Sequence, residues 1–498
     1  LWQVPAKADN YTQLRVNNKY LFVSQREGTG NKTALKAIRL SPKNETSMVV
    51  SPITGFDMSP DGKQLLVLKP SSNNDQIYVV PAGKKFPSDS KPFRMNVKDW
   101  QLRISPEQEW QQLFHDAWLM HRDFFYDKAM RGVDWPQAKA KYAPLLARIT
   151  DRYELNDVLA QLIGELNVLH SQVYGGDVPD TPDRPKPASL GAMLTQTAQG
   201  VVIEHIYQYD TELPANASPL QKPGTNAQNG DIIQAINGRE VKDIQAVHNA
   251  LLNQAGKQVV LTLLRDGESH HTVTYPISNG QAFRLRYQDW VTSNRNKVTA
   301  QDDDIGYMHI YAMGSNDVSE FAREFYAANQ KGGLIIDVRR NRGGNIDSWL
   351  IEKLLRRVWM FWTIGNADPS TNMQQTFRGH LVVLADQYTY SDGETFTAAV
   401  KSLELGPVIG KQTAGAGIWL RGLNRLSDNG MARVAELPVF DMEGNWVVEG
   451  HGVSPNVEVD NLPHATFNGQ DAQLEAAVKY LKKQLRKKPV KPLKPKAY

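Results

Sequence analysis

The stretch that most restricts the fold runs from Leu381 to Phe396. Leu381-Val382-Val383-Leu384 is a short, continuous apolar run, which marks a buried strand. It passes through a turn, Ala385-Asp386-Gln387-Tyr388-Thr389-Tyr390, and a helix is predicted to start at Ser391. Strand, turn and helix in that order form the repeating joint of an α/β domain. Ile305-Gly306-Tyr307-Met308-His309-Ile310 reads as another strand, followed by a helix near residues 317–328. Gly333-Leu334-Ile335-Ile336-Asp337-Val338 reads as a third. Residues 300–465 are therefore expected to be α/β. A last helix carries Leu474, Ala477, Val478, Leu481 and Leu485 on one face.

The apolar period changes several times before that unit. Up to residue 100, short strands such as Tyr20–Ser24, Gln64–Leu68 and Gln76–Val80 are split by turns, among them Ser59-Pro60-Asp61-Gly62. The spacing resembles β-propeller blades, and about 100 residues make about two of them. A small independent β-domain is the other reading. Over residues 105–170 the period becomes helical, with Trp110, Leu113, Phe114, Ala117 and Trp118, then Leu155, Val158, Leu159 and Leu162. That unit ends at Asn167-Val168-Leu169-His170-Ser171. A proline-rich connector over 178–187 leads into a strand-rich module. Its Gly230-Asp231-Ile232-Ile233 and Ile236-Asn237-Gly238 resemble a PDZ domain, with a helix expected over 241–255. Leu190-Gly191-Ala192-Met193 would be its carboxylate-binding loop, where backbone N–H groups receive a peptide C-terminus. This module is alternatively a spacer.

The chain thus divides into 1–100 (partial propeller), 101–180 (helical), 186–282 (PDZ-like), 283–480 (α/β) and 481–498 (a basic Pro/Lys tail, expected to be disordered). A length of 498 residues fits several domains. Net charge is +4, yet Lys482–Lys496 alone holds eight Lys or Arg. The body is slightly acidic, which does not imply a nucleic-acid partner. No cysteine is present, which removes disulfides, thiolate metal sites and cysteine nucleophiles. A periplasmic or exported location is the expectation, with a cytoplasmic one as the alternative. No apolar run approaches the roughly 20 residues of a membrane-spanning helix. The first residue is Leu1, inside a strand-like pattern, so a fragment or processed form lacking an N-terminal part is expected.

Three blocks carry chemistry. A serine at a helix start has its hydroxyl beside free N–H groups, which can stabilise an oxyanion. Ser391 equally suits a plain helix cap. Upstream, Asp337–Asn345 is a strand ending in the Gly343-Gly344 turn, where backbone approaches a substrate closely. Downstream lies Gly444–Asn456, containing Glu449 and His451. His309 and His451 read as structural histidines. No His-Glu-x-x-His spacing occurs, so neither a metal nor another cofactor is expected. Asp302-Asp303-Asp304 reads as a solvated turn, and Val358–Thr363 as an aromatic core stripe or a pocket wall.

These blocks, in this order and with a PDZ-like insert, resemble the S41 peptidases, and the full order resembles their tricorn-like branch. The resemblance implies a multidomain α+β fold: partial propeller blades, helical bundle, PDZ-like β-domain and α/β S41 core. It implies a serine peptidase acting on peptides or unfolded segments, within a homo-oligomer. It implies Ser391 of Ser391-Asp392-Gly393 as nucleophile, His170 as general base and Glu449 as its orienting group. The oxyanion donors would be the amides of Asp392 and of the Gly343-Gly344 turn, chiefly Gly344. One departure stands out. The family usually has a serine just before the catalytic histidine, linking it to the glutamate, and here that residue is Leu169. Glu449 then reaches His170 directly or through water, or Ser171 takes over. Failing these, the chain is a weakened or inactive peptide-binding scaffold. The Ser-Lys, tail-specific branch places a lysine about 25 residues after the serine. That position is Ala416, and Lys411 lies on the wrong side of the turn.

Overall fold

The apolar run of the central block forms the middle of a five-stranded parallel sheet in the computed structural model. The structure describes residues 6, 8–26, 32–43, 45–72, 75–97, 100–101, 103–179, 181, 183–365, 367 and 369–491. The basic tail expected from residue 481 begins later, because helix Ala472–Lys487 continues into it, and its part from residue 492, predicted to be disordered, lies outside the described residues.

The sheet order is Ile305–His309, Gly333–Asp337, His380–Ala385, Val408–Gly410 and Val457–Glu458. The first two strands are buried at every residue, because helices cover both faces. Met308, Leu334, Ile336, Leu381 and Val383 pack with Phe321, Phe325, Leu350 and Phe396. Those partners come from helices Asp317–Ala328, Asp347–Leu355 and Asp392–Ser402. Tyr307, Ile335, Val382 and Leu384 turn to the other face and meet Val298, Leu474, Ala477 and Leu481 of helices Asn279–Gln301 and Ala472–Lys487. Strand alternation thus feeds two cores from one sheet.

Helices Pro106–Phe124, Trp135–Tyr142 and Arg152–Gly164 form the helical part. Asp134 and Asp151 cap the last two, each accepting a backbone N–H at 2.9 Å. Their core does not close on itself. It is completed by Ile418, Leu426, Ala432, Val434 and Ala435 from far along the chain. Strand Gln172–Tyr174 pairs antiparallel with Met431–Arg433, and Arg152 pairs with Asp428 at 2.6 Å, each side chain 3% exposed.

The PDZ-like module is an antiparallel sheet ordered Ala192–Thr197, Gly200–Ile206, Ile232–Ile236, Val259–Arg265 and Glu268–Thr274, with helix Ile244–Leu251 capped by Asp243. The helix is shorter than the 241–255 expected, since Asp243 caps it at one end and Leu252 turns extended at the other.

Residues 1–105 form a separate unit. It holds a four-stranded antiparallel meander over Tyr11–Ile53 and a three-stranded one over Gly55–Pro81. Phe22, Leu35, Phe56, Leu65 and Val67 share its core. Ser59–Gly62 makes the expected turn, with Gly62 at φ 69° and its N–H donating to Ser59 O at 2.9 Å.

Candidate active site

Strand His380–Ala385 ends at the C-terminal edge of the sheet, where open α/β sheets present ligands. The chain then turns through Asp386–Tyr390. Thr389 Oγ1 donates to Val338 O at 2.9 Å, and Tyr390 N–H donates to Asn341 O at 2.9 Å. Both bonds tie this turn to the neighbouring segment 338–345. Ser391 follows at φ 54°, ψ −118°, a strained setting for a residue with a side chain, and the helix begins at Asp392. Nothing can stand between the two turns: a Cβ on Gly343 would lie 2.6 Å from Ser391 Cβ, and one on Gly344 would collide with Met313 O. The amides flanking Gly344 are occupied. Gly343 N–H donates to Asn341 Oδ1 at 2.8 Å and Asn345 N–H to Met313 O at 2.8 Å. Gly344 itself lines the pocket beside Ser391.

That pocket encloses about 780 Å³, and its wall includes Ser391, His170, Gly344, Leu169 and Ala416. His170 is buried, 8% exposed, and its Nδ1 has no hydrogen-bond partner among the described residues. Burial lowers its pKa, a hydrogen bond to the Ile418 backbone raises it, and the Arg433 charge lowers it again; the net shift is downward. The imidazole is therefore neutral at pH 7, the form a general base needs.

Glu449 lies one step behind. Its Oε2 accepts the N–H groups of Gly417 and Ile418 at 2.9 and 3.2 Å, and its Oε1 is 3.6 Å from Arg131. Its carboxyl group fixes the backbone that His170 touches. Ser171 points elsewhere, accepting Ala435 N–H at 3.3 Å. Leu169 is half exposed in the pocket wall. Lys411 pairs with Glu458 and Asp460 at 3.0 and 3.5 Å and is not in the wall. His309 is held by Tyr287 and the Arg339 carbonyl at 2.9 and 2.8 Å, and His451 by two carbonyls. The Val358–Thr363 stripe is not core. It forms a hairpin, Met360–Trp362 with Ser370–Asn372, leaving Trp359 and Trp362 exposed, since no layer of the sheet reaches it. In the PDZ-like module Leu190 is buried and Gly191, at φ 73°, accepts Tyr207 N–H and the Ser218 hydroxyl; Ala192 and Met193 open the edge strand.

Two carboxyl groups beside Ser391 were not singled out by the sequence. Glu394, fully buried, accepts the N–H groups of Ser391, Gly415 and Ala416 at 3.0, 2.7 and 2.8 Å and the Thr413 hydroxyl at 2.6 Å. The Ser-x-x-Glu spacing of a capping box was its available signal. Asp392 Oδ2 accepts Ile346 and Asp347 N–H at 2.7 and 3.0 Å. Burial and then the Asp347 carboxylate push the Asp392 pKa up to about 7. The folded chain therefore keeps a proton that the unfolded chain releases near 3.8. Between those values the unfolded state binds fewer protons, so stability falls as pH rises towards 7. Asp392→Asn keeps an oxygen for both N–H groups and cannot ionise. Thermal melts should show a flatter pH dependence from about pH 4 to 7 than in the parent; an equal slope would disprove the assignment.

With this geometry in place, the comparisons are informative. Residues 106–164 match the tricorn protease C1 domain, 189–279 the tricorn protease PDZ domain and 304–459 peptidase family S41. Tricorn protease homolog 1 of Streptomyces coelicolor is 32% identical over 434 residues, covering 85% of this chain and 40% of its own length. The chain belongs to the tricorn-like S41 family. The tricorn protease of Thermoplasma acidophilum is 28% identical over 466 residues, 93% of this chain and 42% of the relative. A crystal structure of the tricorn protease superposes with a TM-score of 0.83 at 25% identity, covering 96% of this chain and 47% of that one. The chain spans less than half the length of these tricorn-like relatives.

Proposed function

We propose that this tricorn-like chain is a serine peptidase that cleaves peptides or unfolded segments through an acyl-enzyme. The observation that carries it is a single pocket holding Ser391 at a strained helix start, a neutral, buried His170 and the Gly344 turn. Ser391 Oγ attacks the peptide carbonyl while His170 takes its proton. The N–H groups of Gly344 and Asp392 receive the oxyanion. His170 then returns the proton to the leaving amine, and water reverses the sequence to free the acid. Glu449 acts as a positioning residue: it fixes the Gly417–Ile418 backbone, and Ile418 in turn favours the charged form of the His170 ring.

A fluorophosphonate probe tests this on the intact protein. Labelling should be lost in Ser391→Ala and fall on the order of 10⁴-fold in His170→Ala. No labelling of the parent would overturn the reading. It would favour the second one, a peptide-binding scaffold, for which the free edge of strand Ala192–Thr197 supplies the surface. From the family resemblance and the lack of cysteine we further read a homo-oligomer in the periplasm or outside the cell. Light scattering and fractionation of cells check these two points.

A further inference from the structure

Helix Asn279–Gln301 carries a stripe of aromatic residues that its own packing does not use up. Phe283, Tyr287 and Trp290 stand at i, i+4 and i+7 and so share one face. With Tyr311 and Tyr388 they line a cavity of about 780 Å³. Phe283, Trp290 and Tyr388 remain 46, 37 and 47% exposed, so much of their ring surface is free to meet something else. The rings are nevertheless held in place. His309 Nε2 donates to the Arg339 carbonyl at 2.8 Å, which leaves its Nδ1 to accept the Tyr287 hydroxyl at 2.9 Å. Trp290 stands edge-on to the His309 ring, 4.9 Å between centres, and Tyr311 is 5.1 Å from Tyr287. Arg340 and Arg342 lie over the Tyr388 and Tyr311 rings, at 5.4 and 5.8 Å from their centres.

Charge does not decide what this cavity takes, because its wall mixes arginines with three acids and each acid is engaged. Asp471 pairs with Arg339 at 2.8 Å, Asp460 is 3.5 Å from Lys411, and Asp386 accepts the N–H groups of Arg340 and Tyr388 at 2.9 and 3.1 Å. What the wall offers in excess is aromatic surface, fixed before anything enters. A preformed cavity of this size with aromatic walls is the common form of a ligand site, and rings set around a gap favour another ring through edge and offset contacts. The occupant follows from continuity. Arg340, Arg342 and Tyr388 line both this cavity and the one around Ser391. The two arginines belong to the segment that carries Gly344, and Tyr388 to the turn that leads into Ser391. A polypeptide lying in the Ser391 pocket thus has a continuous wall to follow into the aromatic cavity.

We propose that the cavity between helix Asn279–Gln301 and the Tyr311 and Tyr388 rings is a remote subsite, which takes an aromatic side chain of the same polypeptide two or more residues away from the bond at Ser391. Phe283 and Trp290 are its specificity-determining residues. The inference deepens the serine-peptidase reading and rests on it for turnover, and its test separates the two.

Internally quenched peptides that share one cleavage site are hydrolysed by the intact protein. The residues flanking the scissile bond stay constant, and each position beyond them is in turn Ala, Leu or Phe. At one such position Phe should raise kcat/KM about tenfold over Ala, with Leu between, mainly through KM. Phe283→Ala and Trp290→Ala should each bring that Phe-to-Ala ratio to within about twofold of one, and Phe283→Trp should keep it. The ratio compares two peptides on one sample, so a partly misfolded variant leaves it intact. No position with an advantage for Phe, Leu equal to or above Phe, or a ratio untouched by both alanine variants would overturn the proposal. Binding of dye-labelled copies of the peptides to Ser391→Ala, followed by fluorescence anisotropy, reads the cavity without turnover. If the parent neither labels with fluorophosphonate nor cleaves, the peptidase reading fails. Tighter binding of a Phe peptide, lost when Phe283→Ala is added, still supports the aromatic subsite, and equal binding of the Phe and Ala peptides refutes it.

Discussion

Glu394→Ala is expected to slow fluorophosphonate labelling of Ser391 on the order of 10²-fold and to destabilise the protein by about 3 kcal/mol or more. The carboxylate is fully buried and collects four donors: the N–H groups of Ser391, Gly415 and Ala416 and the Thr413 hydroxyl. Removing it strands all four away from water, and each unpaired group costs about 1–3 kcal/mol before the loop relaxes. The relaxation is what slows the reaction. Ser391 N–H and the 413–416 loop lose their common anchor, and a displacement of about 1 Å at a reacting atom costs on the order of 10²-fold. Glu394→Gln keeps one acceptor oxygen and turns an NH₂ towards two of the donors, so it should fall between parent and alanine. The labelling rate constant and the urea midpoint measure the two effects. A labelling rate within about twofold of the parent would remove Glu394 from the account of how Ser391 is held.

Asp428→Ala is expected to cost about 3–5 kcal/mol, because it leaves the Arg152 guanidinium buried without its partner. The aspartate also accepts Gly430 and Asp177 N–H at 2.9 and 3.1 Å. Replacing both partners, Arg152→Met with Asp428→Leu, should recover a large part of the loss, since two apolar groups need no compensation. Burial raises the Asp428 pKa, but Arg152 and the two N–H groups outweigh it and hold it below its ordinary 3.8. Its stabilising contribution is therefore present above pH 3.8 and lost as pH falls through the folded value. Urea melts of the single and double variants decide the matter. A double variant no more stable than Asp428→Ala would show that the N–H groups at 177 and 430, and not the ion pair, carry the effect.

The elements that were readable in the sequence are those whose apolar pattern has no second interpretation. The runs at 305–310, 333–338 and 381–384 are buried on both faces, so apart from His309 and Asp337 their residues are apolar or glycine, and the strands show plainly. Helix Asn279–Gln301 did not show. Only Leu285, Asn294 and Val298 are buried along its 23 residues, too few to give a period. Its start was still written in the Ser278/Gln281 capping box. In the site, Ser391, His170 and Gly344 were named from the family resemblance, and the three line one pocket. The surroundings were out of reach, because they depend on distant pairing. Arg131 reaches Glu449, and Ala416 comes beside Ser391 through a bond to Glu394, contacts that no local spacing announces. The hairpin at 360–372 misled for the opposite reason: aromatic residues at close spacing are usually core, and here they face outward.

The pairing of Gln172–Tyr174 with Met431–Arg433 has a consequence during protein synthesis. His170 acquires its wall only when a strand about 260 residues later has emerged and docked; the Arg433–Gln172 hydrogen bond spans 261 positions. At about 5–20 residues added per second, the ribosome needs tens of seconds to bridge that gap. Throughout it, the imidazole and the serine hydroxyl have no common cavity. On the proposed peptidase reading, Ser391 and His170 therefore act together only after residues 431–433 have docked, a delay set by the order of the segments alone.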